Sequence, residues 1–210
     1  MRKAMLTIFL IGVLFLPPLQ AEDAPDDQAD AAHAEAAVAE LNATILKALH
    51  TPSAKQFDER VVMLRPLMVS AFDYPFMARI AAGRYWKDFT EAQQERYVTL
   101  FTDLAVAVAA SRFKAQPDAA IEMAGLRDGP RDTKLIETRL ILPGSPSRTI
   151  SYLMRYQPWH GWKAIDVFFE ARVSELSTKR SEYTSVLGKE GIPGFLDILQ
   201  DKLEDYGETS

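Results

Sequence analysis

Cysteine is absent from this 210-residue chain, which removes disulfide frameworks, thiol nucleophiles and cysteine-based zinc sites from its possible chemistry. Histidine is nearly as scarce. His33, His50 and His160 are the only three, and none has the H-x-x-x-H or H-x-x-E-H spacing that sets two imidazoles on one metal. Solvated surface positions account for all of them. The chain has no G-x-S-x-G elbow, no P-loop and no dinucleotide fingerprint, so acyl transfer, nucleotide hydrolysis and nicotinamide chemistry have no motif to rest on. Positive charge is short too, with a formal net charge of −5. Binding along a phosphate backbone needs a basic face, so nucleic acid is not an expected partner. No catalytic residue, metal or cofactor is expected.

Long apolar runs are also missing, with one exception at the start. Arg2 and Lys3 precede an almost unbroken apolar stretch from Met5 to Leu16, and Pro17-Pro18-Leu19-Gln20-Ala21 ends on a small residue before Glu22. A charged start, a short apolar core and a small residue at the cut are the parts of a secretory signal peptide. Crossing the hydrocarbon takes about 20 apolar residues, and this run offers about 12 before the prolines end it. The expectation is a Sec-type signal peptide over 1–21, cleaved after Ala21, and a periplasmic location. No cysteine follows the run, so lipid attachment at a mature N-terminal cysteine is excluded. The mature charge is then −7, because Arg2 and Lys3 leave with the signal. About 189 residues remain, enough for one domain with a real core.

Along that mature chain, 22–30 is rich in Asp, Ala and Pro and reads as a disordered leader. The expected domain spans 31–206, with a tail over 207–210. Val38, Leu41, Ile45 and Leu49 fall at helical spacing and predict an amphipathic helix over 31–49. Ser53-Ala54-Lys55-Gln56 reads as a capping box for a second helix with Phe57, Val61, Leu64 and Met68 on one face. Asp73 is the candidate N-cap of a short helix that carries Pro75 in its first turn and closes at Gly83. Thr90-Glu91-Ala92-Gln93 is another capping box, opening the longest helix, to about Phe113. Tyr97, Leu100, Phe101, Leu104 and Val108 share one of its faces.

After Pro117 the period shifts towards 2, and turn residues divide the segment into strands at 119–126, 133–142, 149–156 and 162–169. Their short connections predict an antiparallel meander of about four strands. Helical spacing returns from Val173, stopped by Gly188 and Gly191, and resumes over 192–203. Helices, then an antiparallel sheet, then helices define an α+β fold with a helical layer on one sheet face.

Two features of the strands bear on function. Asp166 lies between Ile165 and Val167 in an apolar strand, where a charge must be paired, exposed at an edge or functional. A structural bond to a helix terminus is its ordinary role; a small pocket enzyme of the isomerase or dehydratase kind, built on Asp166, is the alternative. In addition, the strand over 162–169 carries apolar residues on both alternating sets, Ile165, Val167 and Phe169 against Trp162, Ala164 and Phe168. A sheet with helices on one face should alternate more cleanly. Either the terminal helices wrap the second face, or an apolar cavity lies between sheet and helices; an interaction module with a filled core is a third reading.

Several segments together resemble the MlaC-type toluene-tolerance family. They are Leu64-Arg65-Pro66, Ala71-Phe72-Asp73-Tyr74-Pro75, Met77-Ala78-Arg79, Gly83-Arg84-Tyr85-Trp86 and Phe89-Thr90-Glu91-Ala92-Gln93-Gln94-Glu95-Arg96. Tyr152-Leu153-Met154-Arg155, Gly161-Trp162-Lys163-Ala164-Ile165-Asp166-Val167 and Ser181-Glu182-Tyr183 follow in the expected order, so the resemblance runs over about 40–203. It implies a monomeric, non-enzymatic periplasmic lipid carrier that holds acyl chains in an apolar cavity. The implied partners are an inner-membrane ABC-type lipid transporter and outer-membrane components. The stretch from Val173 to Tyr183 departs from the phospholipid carriers and is more similar to the hopanoid-associated HpnM branch, so the implied cargo is a hopanoid or a phospholipid.

Lipid contacts are not transferred by the resemblance, and the cavity candidates follow from inward positions. They are Met77 and Ile80 on the short helix, Leu100, Leu104 and Val108 on the long one, and Leu140, Tyr152, Met154, Ile165, Val167 and Phe169 on the strands. Each could equally be core. Arg79, Arg84 and Trp86 read first as an arginine–aromatic packing cluster and second as a recognition surface.

Overall fold

The computed structural model describes residues 27–51, 56–112, 116–170 and 172–209. The signal peptide, residues 22–26 of the leader and the body of the Ser53–Gln56 capping box lie outside them. Five α-helices and five strands follow in the order α1 (Asp27–His50), α2 (Phe57–Ala71), α3 (Tyr74–Ala82), α4 (Glu91–Arg112), β1 (Ala120–Asp128), β2 (Thr133–Ile141), β3 (Arg148–Gln157), β4 (Gly161–Phe169), β5 (Val173–Ser174) and α5 (Glu175–Thr209), with a 3-10 turn over Gly83–Asp88. Helix α1 already includes Asp27, four residues before the expected start and inside the segment read as leader.

The capping signals explain several boundaries. Thr90 and Gln93 form a reciprocal box: the Thr90 N–H donates to Gln93 Oε1 at 2.9 Å and the Gln93 N–H to Thr90 Oγ1 at 3.3 Å. Asp73 caps α3 by accepting from the Phe76 N–H at 3.1 Å. Its other carboxylate oxygen accepts from Arg155 Nη2 at 2.7 Å and from Gln157 Nε2, which pins the α2–α3 corner to β3. At the far end of α4, buried Arg60 donates from Nε to the Ala110 carbonyl at 2.6 Å, putting a cation on a helix C-terminus.

The sheet is antiparallel in the order β1-β2-β3-β4-β5. The four-stranded meander therefore gains a fifth, two-residue strand, in which Val173 pairs with Phe169 and Ser174 with Phe168. The register of β4 also resolves its mixed pattern. Leu153 faces Asp166 while the next residue, Met154, faces Ala164, leaving Ile165 as an extra residue in a bulge. A bulge reverses the alternation, so Trp162 and Ala164 share the inner face with Val167 and Phe169. All four pack with Ile150, Tyr152 and Met154 against α1. Apolar residues on both sequence sets thus serve one face.

Two cores result. One joins β2, β3 and β4 to Ala34, Val38, Leu41, Ile45 and Leu49 of α1. The other binds α3, α4 and α5 around Tyr97, whose ring lies 5.3 Å from Phe195, 5.5 Å from Phe89 and 6.1 Å from Phe101. Helix α5 runs through Gly188, expected to stop it, and breaks only at Gly191, where φ is +67°. A Cβ on Gly188 would approach the Tyr85 hydroxyl to 3.0 Å, so that glycine serves close packing rather than termination.

Candidate functional site: an apolar cavity between helices and sheet

Between the two cores lies a cavity of about 1140 Å³, counting the space at its mouth. Its walls come from every α-helix and two central strands. Leu41 and Ile45 of α1, Leu64 and Met68 of α2, and Met77 of α3 line one side; Phe101, Leu104, Ala105, Val108 and Ala109 of α4 line another. Ile150, Tyr152, Val167 and Phe169 of the sheet form the floor, with Phe72, Tyr74, Leu176 and Tyr183 contributing further apolar and aromatic surface. The α4 positions follow from a 3.6-residue period, in which 101, 104, 105 and 108 fall on one stripe.

Among the described residues, charge enters the cavity at Arg112, Glu175, Lys179 and Lys202. Arg112 ends α4 with its guanidinium 5.4 Å from the centre of the Phe169 ring, and Lys179 sits 5.6 Å from that of Tyr183. Long cationic side chains lay apolar stems along such a surface and turn their heads towards water. Burial pushes the Tyr74, Tyr152 and Tyr183 hydroxyl pKa values well above the ordinary phenol value, so all three stay protonated and can donate. The Tyr74 hydroxyl has no hydrogen-bond partner among the described residues.

Of the eleven cavity candidates, Met77, Leu104, Val108, Tyr152, Val167 and Phe169 line this space. The other five lie elsewhere. Leu100 belongs to the Tyr97 core, with Ile80 packed against it, and Leu140 and Met154 pack with α1. Ile165 is the bulge residue of β4. Sequence reasoning missed the cavity residues of α1 and α2, because their helical spacing reads as core until the neighbours that stand back from them are known. It also missed the four charged residues.

Asp166 is away from the cavity and fully engaged. Its Oδ1 accepts from the Val167 N–H at 2.7 Å and the Leu176 N–H at 3.0 Å, and its Oδ2 from Ser174 Oγ at 2.6 Å. Ser174 Oγ in turn accepts from the Ser177 N–H at 2.9 Å. Aspartate and serine together therefore cap the start of α5, which is the structural role. Desolvation raises the Asp166 carboxyl pKa, and these three hydrogen bonds pull it partly back. His33 and His160 are exposed; the His50 ring nitrogen Nε2 meets the Ala119 carbonyl at 2.7 Å. No group of three or more His, Cys, Asp or Glu side chains fit to hold a metal occurs among the described residues.

A single antiparallel sheet under a helical layer, enclosing a large apolar cavity with a few charges, defines a small α+β cavity protein. The chain belongs to the MlaC family, whose model matches residues 39–201. Its fold is that of the phospholipid-binding protein from Ralstonia solanacearum, solved in complex with a phospholipid. The TM-score is 0.72 at 19% identity, over 84% of this chain and 98% of that one. A search of curated proteins finds no match.

Proposed function

We propose that this protein is a periplasmic lipid carrier that takes an apolar lipid into the cavity and hands it between membrane systems. An inner-membrane transporter of the ABC type would supply the energy. The observation that carries this reading is the cavity. Void space in an apolar interior costs about 24 cal/mol per Å³, so the roughly 180 Å³ of this cavity that would take up solvent would cost on the order of 4 kcal/mol if left empty. That is a sizeable share of a domain's stability of about 5–15 kcal/mol, so such a space persists where an apolar guest gains from it. About 30 lipid methylenes at roughly 0.8 kcal/mol each would gain about 24 kcal/mol gross, much of it offset by ordering the chains.

Membership of the MlaC family and the phospholipid held by the Ralstonia solanacearum protein support lipid as the ligand. The signal-peptide pattern of 1–21 supports export, and the absence of a P-loop is consistent with a partner that hydrolyses ATP. The pocket-enzyme alternative loses its acid, because all the Asp166 bonds go to the α5 cap and its own strand. The filled-core module does not fit the cavity. The cargo is a phospholipid or a hopanoid. The stretch that resembles the hopanoid branch supplies Glu175, Leu176, Lys179 and Tyr183 to the cavity wall, so it is placed to discriminate between them.

Protein purified from the periplasmic fraction without detergent, extracted into organic solvent and analysed by mass spectrometry should yield lipid near one equivalent, and the spectrum identifies the class. Repeated mild preparations without lipid would refute the carrier reading.

A further inference from the structure

The Arg79, Arg84 and Trp86 cluster does not join the cavity. It forms a separate, wide-open surface depression with Ile80, Gly83, Lys87 and Arg180. We infer that this site docks an acidic protein segment, one that presents two or more carboxylates around an apolar or aromatic side chain.

Three elements bring its four cations together: Arg79 from α3, Arg84 and Lys87 from the 3-10 turn, and Arg180 from α5, about a hundred positions further along the chain. All four are exposed, and none has a carboxylate partner within ion-pair distance among the described residues. Aromatic rings hold two of the guanidinium groups instead. Arg84 lies 4.9 Å from the centre of the Tyr85 ring and donates from Nη2 to its hydroxyl at 2.9 Å, while Arg79 sits 5.9 Å from the centre of Phe76. An arginine stacked on a ring is preorganised and keeps donors free for a carboxylate, which it can bind through two parallel hydrogen bonds.

The backbone is shaped for this arrangement. Gly83 has φ +57°, and a Cβ there would meet Thr184 Cγ2 at 3.1 Å and Arg180 Nε at 3.4 Å. The glycine therefore lets Arg180 close over the turn. Half-buried Trp86 is fixed from behind by Phe89, 6.1 Å away, and Tyr97, 6.3 Å away, and with Ile80 it supplies an apolar face. Cations around an apolar centre match an acidic segment with an embedded apolar residue. An anionic bilayer fits less well, since the chain itself carries a net charge of −5. The location adds a role: Lys179 lines the cavity and its neighbour Arg180 the docking site, as Met77 and Ile80 do on α3. A partner seated here lies one helical step from the cavity wall.

The test uses a fluorescein-labelled peptide of alternating Glu, Asp and Leu as the probe, with anisotropy as the readout. The full mature protein should bind it in a salt-dependent way. The exposed double variants R79E/R180E and the milder R79Q/R180Q should weaken binding at least several-fold while keeping wild-type lipid content and thermal midpoint. R127E/R139E, an equal charge change on exposed strand residues, should leave peptide binding intact. An equal loss in R127E/R139E, no peptide binding by the wild type, or loss confined to phosphatidylglycerol vesicles would overturn the proposal. So would a site occupied by a second copy of the chain, detected as self-association that R79E/R180E abolishes. Lipid content, measured on the same preparations, reports on the carrier reading separately.

Discussion

Tyr97 is the residue on which the helical core turns, and it carries a hydroxyl that the core does not use. The side chain is fully buried among Phe89, Phe101, Tyr183 and Phe195, and its oxygen has no hydrogen-bond partner among the described residues. Desolvation drives its pKa far above the ordinary phenol value, so the proton stays on through any accessible pH. A buried donor without a partner costs about 1–3 kcal/mol. Tyr97→Phe should then be neutral or stabilising by about 1 kcal/mol in urea unfolding, whereas Tyr97→Ala, which removes the ring, should cost about 3–5 kcal/mol. Loss of stability in the Phe variant would mean that the hydroxyl has an unrecognised role. Gly188 and Gly191 teach a related lesson. The sequence marks both as helix breakers, yet only Gly191 adopts positive φ, while Gly188 makes room for Tyr85. A glycine's letter carries no information about which of these two needs it meets.

At the scale of elements, the start of α5 depends on a residue from the sheet. Asp166 and Ser174 engage the first turn of the helix that supplies Glu175, Leu176, Lys179 and Tyr183 to the cavity. Asp166→Ala leaves the Val167 and Leu176 N–H groups and the Ser174 hydroxyl without their acceptor, and should cost about 1–3 kcal/mol by thermal or chemical unfolding. The pH dependence follows from the raised carboxyl pKa. A group that holds its proton more tightly folded than unfolded stabilises most below its unfolded value of about 3.9, and that contribution falls as pH rises through the folded value. Asp166→Asn should therefore flatten the stability profile over the acidic range, and an unchanged slope would contradict the assignment. The starts of α3 and α4 and the order of α1 to α4 and β1 to β4 were legible in the sequence because they rest on local chemistry, as Asp73 and the Thr90–Gln93 box demonstrate. The β4 bulge at Ile165 was not, since it exists only in the pairing with β3. That missing residue of register made one apolar face look like two.

For the whole molecule, the central claim is that helices and sheet stand apart to hold a lipid. The family resemblance carried by Ala71–Pro75 and Phe89–Arg96 was legible in the sequence; which apolar residues border a space, and which fill one, was not. Leu100 and Leu104 are both buried α4 residues of the Tyr97 cluster, yet only Leu104 also lines the cavity. The cavity is also open to a direct test by filling it. In a packed core, added bulk at Leu104 or Val108 would cost about 1–3 kcal/mol through strain. Beside a cavity, the larger side chain takes up the guest's volume with little loss of stability.

The decisive measurement is native mass spectrometry of the wild type, Leu104→Trp and Val108→Trp, each purified without detergent and checked for its thermal midpoint. The wild type should fly with a bound lipid mass, and both variants should lose most of it while keeping their midpoints. A wild type that carries no lipid, or variants that stay folded with wild-type lipid occupancy, would contradict the account.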